Sequence, residues 1–341
     1  MRIGTPVAAS ALAVRRAPLK SILGADTPSP SPLAALAYGE RAEVPWMSSI
    51  DAPLLLKSNP QADLWLTDGR VDAGHSGAAR WRTDGRWVFG TVDLAEHGTG
   101  LQPLASAAYQ DLFQALEDTG CPHLLRIWNY LPRINEDGGG LERYRQFNIG
   151  RQEAFIDAGQ AVYEGSPAAC ALGVQRGGLS IRFLAGQAAP VAIENPRQVS
   201  AYRYPSNYGP RPPTFSRAAL ADIGAGQLAL FISGTASIVG HATVHLDDVA
   251  EQTRETLRNL SAVVDTANLR GSARFELSEL DPVVYVRHTG DAARVREVLA
   301  QTLGAEANFL QRAVFLQADI CRQDLLVEIE AHAVAGGVLN A

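Results

Sequence analysis

Apolar positions recur at two periods along this chain, and the changes between the periods outline its elements. Residues 105–118 carry apolar side chains at helical spacing and predict an amphipathic helix, followed by a strand at Leu124–Tyr130. A second helix is predicted over 141–160, where Tyr144, Phe147, Arg151, Phe155 and Ala158 fall three and four apart on one face. Alternating segments at 170–188 and 198–204 predict strands. Farther on, a strand at Leu228–Ser233 ends in Gly234, and a helix over 248–266 carries Val249, Thr253, Leu257, Leu260, Val264 and Ala267 on one face. Asp247 is the N-cap expected for that helix. Strands are predicted at Ala273–Leu277 and Val283–Arg287, then a helix over 291–303 buried through Val295, Leu299 and Leu303. Two strands close the chain, Ala313–Ile320 and Leu325–Ala331.

Turn residues punctuate this pattern. Thr27 to Pro32 alternates with proline, which suits neither a helix nor an inner strand, so a surface loop is predicted there. Asp-Gly pairs at 68–69 and 84–85 separate apolar segments and predict hairpins, because the tight turn needs positive φ. Pro205, Pro210, Pro212 and Pro213 interrupt regular structure until Thr214. Helices mixed with strands suited to antiparallel pairing predict an α+β fold of mixed sheets packed with helices. The division falls near 218, giving an N-terminal α+β region at 1–218 and a C-terminal domain at 219–341.

Composition narrows the function classes. The formal net charge is −6 with no run of Lys or Arg, so the concentrated basic surface that nucleic acid requires is missing. No apolar run approaches the ~18 residues of a membrane span. The mildly apolar stretch Thr5–Val14 is followed, not preceded, by Arg15 and Arg16, the reverse of a signal peptide. It is expected to be a first strand or a loose tail. Cys121, Cys170 and Cys321 are odd in number and far apart, which fits a reducing cytoplasm rather than a disulfide framework. An anionic small substrate is still compatible with the net charge, since one or two arginines can dominate a pocket.

Single residues carry less. Glu328 alternates with Val327 and Ile329 and shares a face with Leu326, Glu330 and His332, which by itself is a wet sheet face. If that face were shielded, two neighbouring carboxylates would repel and one would hold its proton. Arg151 on an apolar helix face reads as a snorkelling side chain. Arg217 reads as a solvated loop residue, and Tyr202, Tyr204 and Tyr208 as loop packing. Cys321 reads as a small buried hydrophobe. His241 and His245 share a face only on a helix, which that stretch does not predict, so no metal site is expected. Gly224-Ala225-Gly226 lacks the third glycine of a dinucleotide loop, and no nucleophile elbow surrounds Ser233.

Two resemblances change the weight of these residues. Ile232-Ser233-Gly234, the Gln252-Thr253 … Asn259-Leu260 helix and Val327-Glu328-Ile329-Glu330-Ala331 resemble the YjgF-like deaminase superfamily. Where those deaminases carry an arginine on the penultimate strand, this chain has Ala313 beside Arg312, a departure that argues against simple deaminase activity. Over its whole length the chain is similar to the chorismatases. The matching segments are Leu125 through Pro132, Tyr144 through Phe155, Ala201 through Arg217 and Asp319 through Ala331. That resemblance implies a YjgF-like C-terminal domain after a longer N-terminal part. It implies that Tyr144, Arg151, Tyr204 and Arg217 hold chorismate, and that Glu328 is the catalytic acid. Cys321 paired with Gly234 resembles the branch that makes 3-hydroxybenzoate, with 4-hydroxybenzoate as a further product and pyruvate released. A hydrolytic chorismatase giving a dihydroxycyclohexadiene carboxylate, a deaminase and a non-catalytic binding module are the alternatives. No cofactor is implied, and a monomer or weak oligomer is expected.

Overall fold

The computed structural model describes residues 11–23, 31–39, 44–56 and 60–340. Its first sheet contains β1 (Leu12–Pro18), β2 (Ser31–Tyr38), β3 (Met47–Ile50) and β4 (Gln61–Thr67), in the order β1-β4-β2-β3. The short helix α1 (Leu19–Leu23) covers one face, where Leu19 and Ile22 pack on Ala35, Ala37 and Leu64. The proline-rich loop expected at Thr27–Pro32 lies mostly outside the described residues, but Ser31 and Pro32 open the inner strand β2. Pairing with β4 shifts register between Pro32 and Ala34, so the missing N–H falls beside an irregularity in the ladder.

The second sheet is built from β5 (Asp72–Ser76), β6 (Ala79–Thr83), β7 (Trp87–Leu94), β8 (His123–Pro132), β9 (Ala168–Val174) and β10 (Leu179–Gly186). Its order is β9-β8-β10-β7-β6-β5. The hairpin predicted at Asp84-Gly85 joins β6 to β7: the Asp84 carboxylate accepts the N–H groups of Arg86 (2.9 Å) and Trp87 (2.8 Å), and Gly85 takes φ +84°. No hairpin forms at Asp68-Gly69, because β4 and β5 belong to different sheets and the chain crosses between them there. Helices α2 (Leu101–Thr119) and α3 (Arg143–Asp157) cover one face of this sheet through Tyr109, Leu112, Phe147 and Phe155. Both are the helices read from the 3.6-residue period. The crossover through α3 makes β8 and β9 parallel.

The third sheet contains β11 (Val191–Ile193), β12 (Ala218–Gly224) and β13 (Gln227–Ala236). A small hairpin follows, β14 (Ile238–Val239) with β15 (Ala242–Thr243), and then β16 (Asp281–Val286) and β17 (Val314–Gln317). Next in the chain, β18 (Asp319–Ile320) leaves to pair with β9 at the edge of the second sheet, and β19 (Val327–Gly336) returns to the centre of the third. The order is β11-β12-β13-β19-β16-β17. Helices α4 (Val249–Asn268), α5 (Ala292–Leu303) and the short α6 (Asn308–Arg312) bury Leu260, Val264, Val295, Leu299 and Phe309 on its outer face. The α+β class expected from the sequence is what the chain adopts.

Three local expectations are corrected. The strand predicted at 198–204 is a coil with a 3₁₀ turn at Ala201–Arg203. Ala273–Leu277 makes no strand: Ala273 and Phe275 are buried in coil, and the Phe275 N–H is satisfied by the Asn268 side chain at 2.8 Å rather than by a neighbouring strand. The N-cap of α4 is Asp248, not Asp247, because the Asp248 carboxylate accepts the N–H groups of Ala250 and Glu251 at 3.0 Å, while Asp247 is spent on a positive-φ turn.

The inner faces of all three sheets meet in one core. Trp65 stacks on Phe89 at 4.9 Å and meets Trp128 edge-on at 5.5 Å, with Phe231 and Tyr285 opposite from the third sheet. No helix among the described residues is long and apolar enough to cross a membrane. On the outer side, α2 and α3 approach so closely that a methyl group at Gly150 would run into the Gln102 carbonyl oxygen. Gly150→Ala is therefore expected to destabilise the protein by about 1–3 kcal/mol, the usual cost of overpacking. A thermal melt of the variant checks this; an unchanged melting temperature would mean that the two helices can slide apart freely.

Candidate active site

The strand β19 places Glu328, Glu330 and His332 on one face. That face is not the wet one its polarity predicts. The strand lies between β13 and β16, and its polar face looks into the space between the second and third sheets, leaving Glu328 and Glu330 each 3% exposed. Glu330 is pinned there. It forms an ion pair with Arg126 and accepts hydrogen bonds from Trp128 Nε1 (3.2 Å) and the Tyr285 hydroxyl (3.0 Å). Arg126 also donates to the Ile232 carbonyl at 3.0 Å.

Glu328 has no such set of donors. Burial and the neighbouring Glu330 charge push its carboxyl up to about 8, against the opposing pull of Arg126, Arg217 and Arg287. A carboxylic acid near neutral pH can donate a proton to a weakly basic carbon or oxygen. Glu328 lines a cavity of about 480 Å³ whose walls come from α3, the coil before β12, β13 and the turn between β18 and β19.

Six of the seven residues singled out from the sequence meet in that cavity: Glu328, Cys321, Tyr144, Tyr204, Arg217 and Gly234. Gly234 sits where β13 shifts register against β19, a bulge between Ile232 and Thr235. A methyl group on Gly234 would run into Glu328 Oε1 and stand 3.2 Å from the Cys170 Cβ. The glycine thus makes room for the acid itself. Cys321 follows β18, where burial and the Glu328 charge push its thiol up to about 12, so it keeps its proton. Burial also raises the Tyr144 hydroxyl, with the Cys321 charge adding to the effect.

Arg217 ends the proline-rich coil. Its Nη2 donates to the Val199 carbonyl (2.9 Å) and the Tyr204 hydroxyl (2.8 Å), and its guanidinium carbon lies 5.1 Å from the Phe215 ring centre. The buried Nε–H has no partner among the described residues. Arg151 is the seventh residue and does not line the cavity. It is not the snorkelling side chain its helix position predicts either, being 2% exposed. It lies in the packing behind the wall, with Nη2 donating to Asn148 Oδ1 at 3.2 Å and its guanidinium carbon 5.1 Å from the Phe147 ring centre.

Arg322 escaped the sequence reading. Its guanidinium carbon stands 4.2 Å from the Tyr208 ring centre and 5.1 Å from that of Tyr204, on the rim of the same cavity. Nη1 donates to the His241 carbonyl (2.9 Å) and Thr243 Oγ1 (3.3 Å), while the buried Nη2 has no partner among the described residues. One arginine in a turn carries no sequence signal, and only the fold brings it to the tyrosines. His241 and His245 stay apart: His241 Nδ1 lies 3.1 Å from the Tyr208 hydroxyl, and His245 Nε2 lies 3.8 Å from Glu255. The described residues contain no cluster of three metal-ligating side chains.

The arrangement pairs a neutral acid with two guanidinium groups that have unused donors, between tyrosine walls. That chemistry suits an anionic, flat, proton-accepting ligand. Known proteins resemble this chain in sequence and fold. Residues 63–185 match a family model described as chorismatase FkbO/Hyg5-like, N-terminal. A protein named chorismatase from Streptomyces rapamycinicus is 41% identical over 276 residues, 79% of this chain and 81% of that one. A 3-hydroxybenzoate synthase from Streptomyces hygroscopicus is 38% identical over 284 residues, 80% of this chain and 81% of that one. A crystal structure of a chorismatase superposes with a TM-score of 0.83 at 31% identity, covering 96% of this chain and 99% of the other.

The raised Glu328 carboxyl has a consequence for stability. The folded protein keeps this proton up to about pH 8, whereas the unfolded chain releases it near the ordinary value of 4.5, so folding takes up a proton between the two. The contribution of Glu328 is complete below the lower value and is lost as pH rises through the upper one. Melting temperatures of wild type and Glu328→Gln, measured across that range, are expected to diverge in favour of the variant as pH rises. Parallel curves would place the Glu328 proton elsewhere.

Proposed function

The chain belongs to the chorismatase family, and on that premise we propose that it cleaves the enolpyruvyl ether of chorismate, releasing pyruvate and 3-hydroxybenzoate. The observation that carries the reading is Glu328, a buried carboxyl held in its acid form beside a fixed carboxylate and facing a cavity edged by arginines.

Chorismate is a dianion on a flat ring with an acid-labile enol ether. Its two carboxylates match the unused donors of Arg217 and Arg322, with Tyr204 and Tyr208 as walls against the ring. Tyr144 closes the inner wall, and Arg151 acts from behind it by adding positive charge at that end. Glu328 gives its proton to the enolpyruvyl methylene carbon, which becomes a methyl group and leaves positive charge on the ether carbon. The carboxylate so formed lies among Arg126, Arg217 and Arg287, which stabilise it, and it faces the cation it has created. The ring 4-hydroxyl then attacks the ether carbon and returns its proton to the Glu328 carboxylate, closing a cyclic ketal. The ring C4–O4 bond and the ketal C–O3 bond break, and pyruvate departs with O4 as its carbonyl oxygen. The C3 proton passes to O3, which stays as the 3-hydroxyl of the aromatic ring. Chorismate divides into 3-hydroxybenzoate and pyruvate with no atom added, so no redox cofactor enters.

The hydrolytic outcome differs by one water and gives a dihydroxycyclohexadiene carboxylate. The protonated Cys321 thiol favours the aromatic outcome, because a small donor beside Glu328 can assist ring rearrangement and takes up space a water would use. Gly234 supports the same outcome by leaving the Glu328 carboxyl free to face the substrate.

Purified protein given chorismate is expected to release pyruvate with 3-hydroxybenzoate as the aromatic product on chromatography. Glu328→Gln keeps the shape and loses the proton, so turnover should fall at least ~100-fold, the usual scale for a missing general acid. Near-normal pyruvate release by that variant would refute the assignment, and ammonia release from 2-aminoacrylate with chorismate inert would favour a deaminase instead.

A further inference from the structure

Arg287 follows β16 and is the most fully used guanidinium among the described residues around the site. Nε donates to the Leu325 carbonyl at 2.8 Å. Nη1 donates to Asn135 Oδ1 (3.1 Å) and Asp319 Oδ1 (2.8 Å). Nη2 donates to the carbonyls of Ile320 (3.0 Å) and Arg322 (2.8 Å). Its five N–H bonds meet five acceptors, and the side chain is only 9% exposed. Nothing is left over for a ligand.

Three of those acceptors are backbone carbonyls within one turn, at 320, 322 and 325. That turn carries the Cys321 thiol and the Arg322 guanidinium into the cavity. It lies between β18, which pairs with the second sheet, and β19, which pairs with the third, so no single ladder fixes it. Asn135, on the far side, belongs to the connection from β8 to α3 and also lines the cavity. Arg287 therefore joins the two halves of the site's wall through one rigid planar group.

We propose that Arg287 is a positioning residue: it holds the turn from Asp319 to Leu325 so that Cys321 and Arg322 face the substrate, and thereby sets both substrate affinity and the product that leaves. This rests on the chorismatase reading above. A lysine at 287 would keep the charge but present its donors from one point, and cannot reach acceptors spread across a fork. The turn would then relax, and misplacement of about 1 Å is enough to alter rates strongly.

The test compares wild type, Arg287→Lys and Asp319→Ala with chorismate, measuring KM, kcat, melting temperature and the ratio of aromatic to dihydrodiol product. Asp319 is half exposed, so its removal takes away one acceptor without opening the core. Arg287→Lys is expected to raise KM about tenfold and shift product toward the dihydrodiol, while pyruvate release persists because Glu328 is intact. Asp319→Ala should move both quantities in the same direction by less. A folded Arg287→Lys protein with wild-type KM and product ratio overturns the proposal. Should Arg287→Lys fail to fold, Asp319→Ala decides it: a shift supports the proposal, and wild-type values overturn it. A wild type inert toward chorismate would instead overturn the functional reading and this inference with it.

Discussion

Two carboxyl groups share one face of a central strand, and the site is arranged around the cost of that arrangement. Glu330 is the one whose charge is accommodated, by Arg126, Trp128 and Tyr285, all from strands packed on β19 or facing it. Glu328, two residues earlier, is left with burial and a fixed negative neighbour, and so holds its proton. Everything else in the cavity answers to that acid. The β13 bulge puts a glycine where any side chain would displace it. The Cys321 thiol is raised first by burial and then by Glu328 beside it. Arg126, Arg217 and Arg287 pull the Glu328 carboxyl the other way, toward its charged form.

The geometry gives Gly234 a part that the sequence did not show. A substituent there meets Glu328 before it can meet a ring, so the glycine governs the acid's placement as well as the space available to the substrate. The turn that carries Cys321 is held by hydrogen bonds to Arg287 rather than by sheet pairing. Arg322 rides on the same turn, so the thiol and the guanidinium are placed together.

Much of the scaffold could be read from periodicity. The helices at 101–119, 143–157, 249–268 and 292–303 announce themselves by apolar faces, and Asp84-Gly85 by turn chemistry. The failures share a cause. Ala273–Leu277 is apolar enough for a strand but is held by a helix side chain instead. Asp68-Gly69 has hairpin chemistry but joins strands of different sheets. The polar face of β19 looks like a solvent face because local sequence cannot reveal that a second sheet covers it. For the same reason Glu330 and Arg126, far apart in the chain, gave no sign of being partners, and nothing local marked Arg322 or Arg287. The family resemblance supplied the cavity residues that periodicity could not, and placed Arg151 in their company although it stands one layer behind.

The central claim is that Glu328 acts as an acid whose proton is held by the fixed charge of Glu330. The groups facing it are Glu330 on its own strand, Arg126 on β8, Arg217 before β12, Arg287 after β16, Cys321 after β18 and Tyr144 on α3. The most direct measurement is the pH dependence of kcat/KM for chorismate in wild type and in Glu330→Gln. The wild-type rate should fall on the alkaline side with a midpoint near 8. In Glu330→Gln the loss of the anion and the freeing of Arg126 both favour ionised Glu328, so the midpoint should move toward lower pH. A wild-type profile with no alkaline fall, or a midpoint that stays in place when Glu330 is neutralised, would contradict the account.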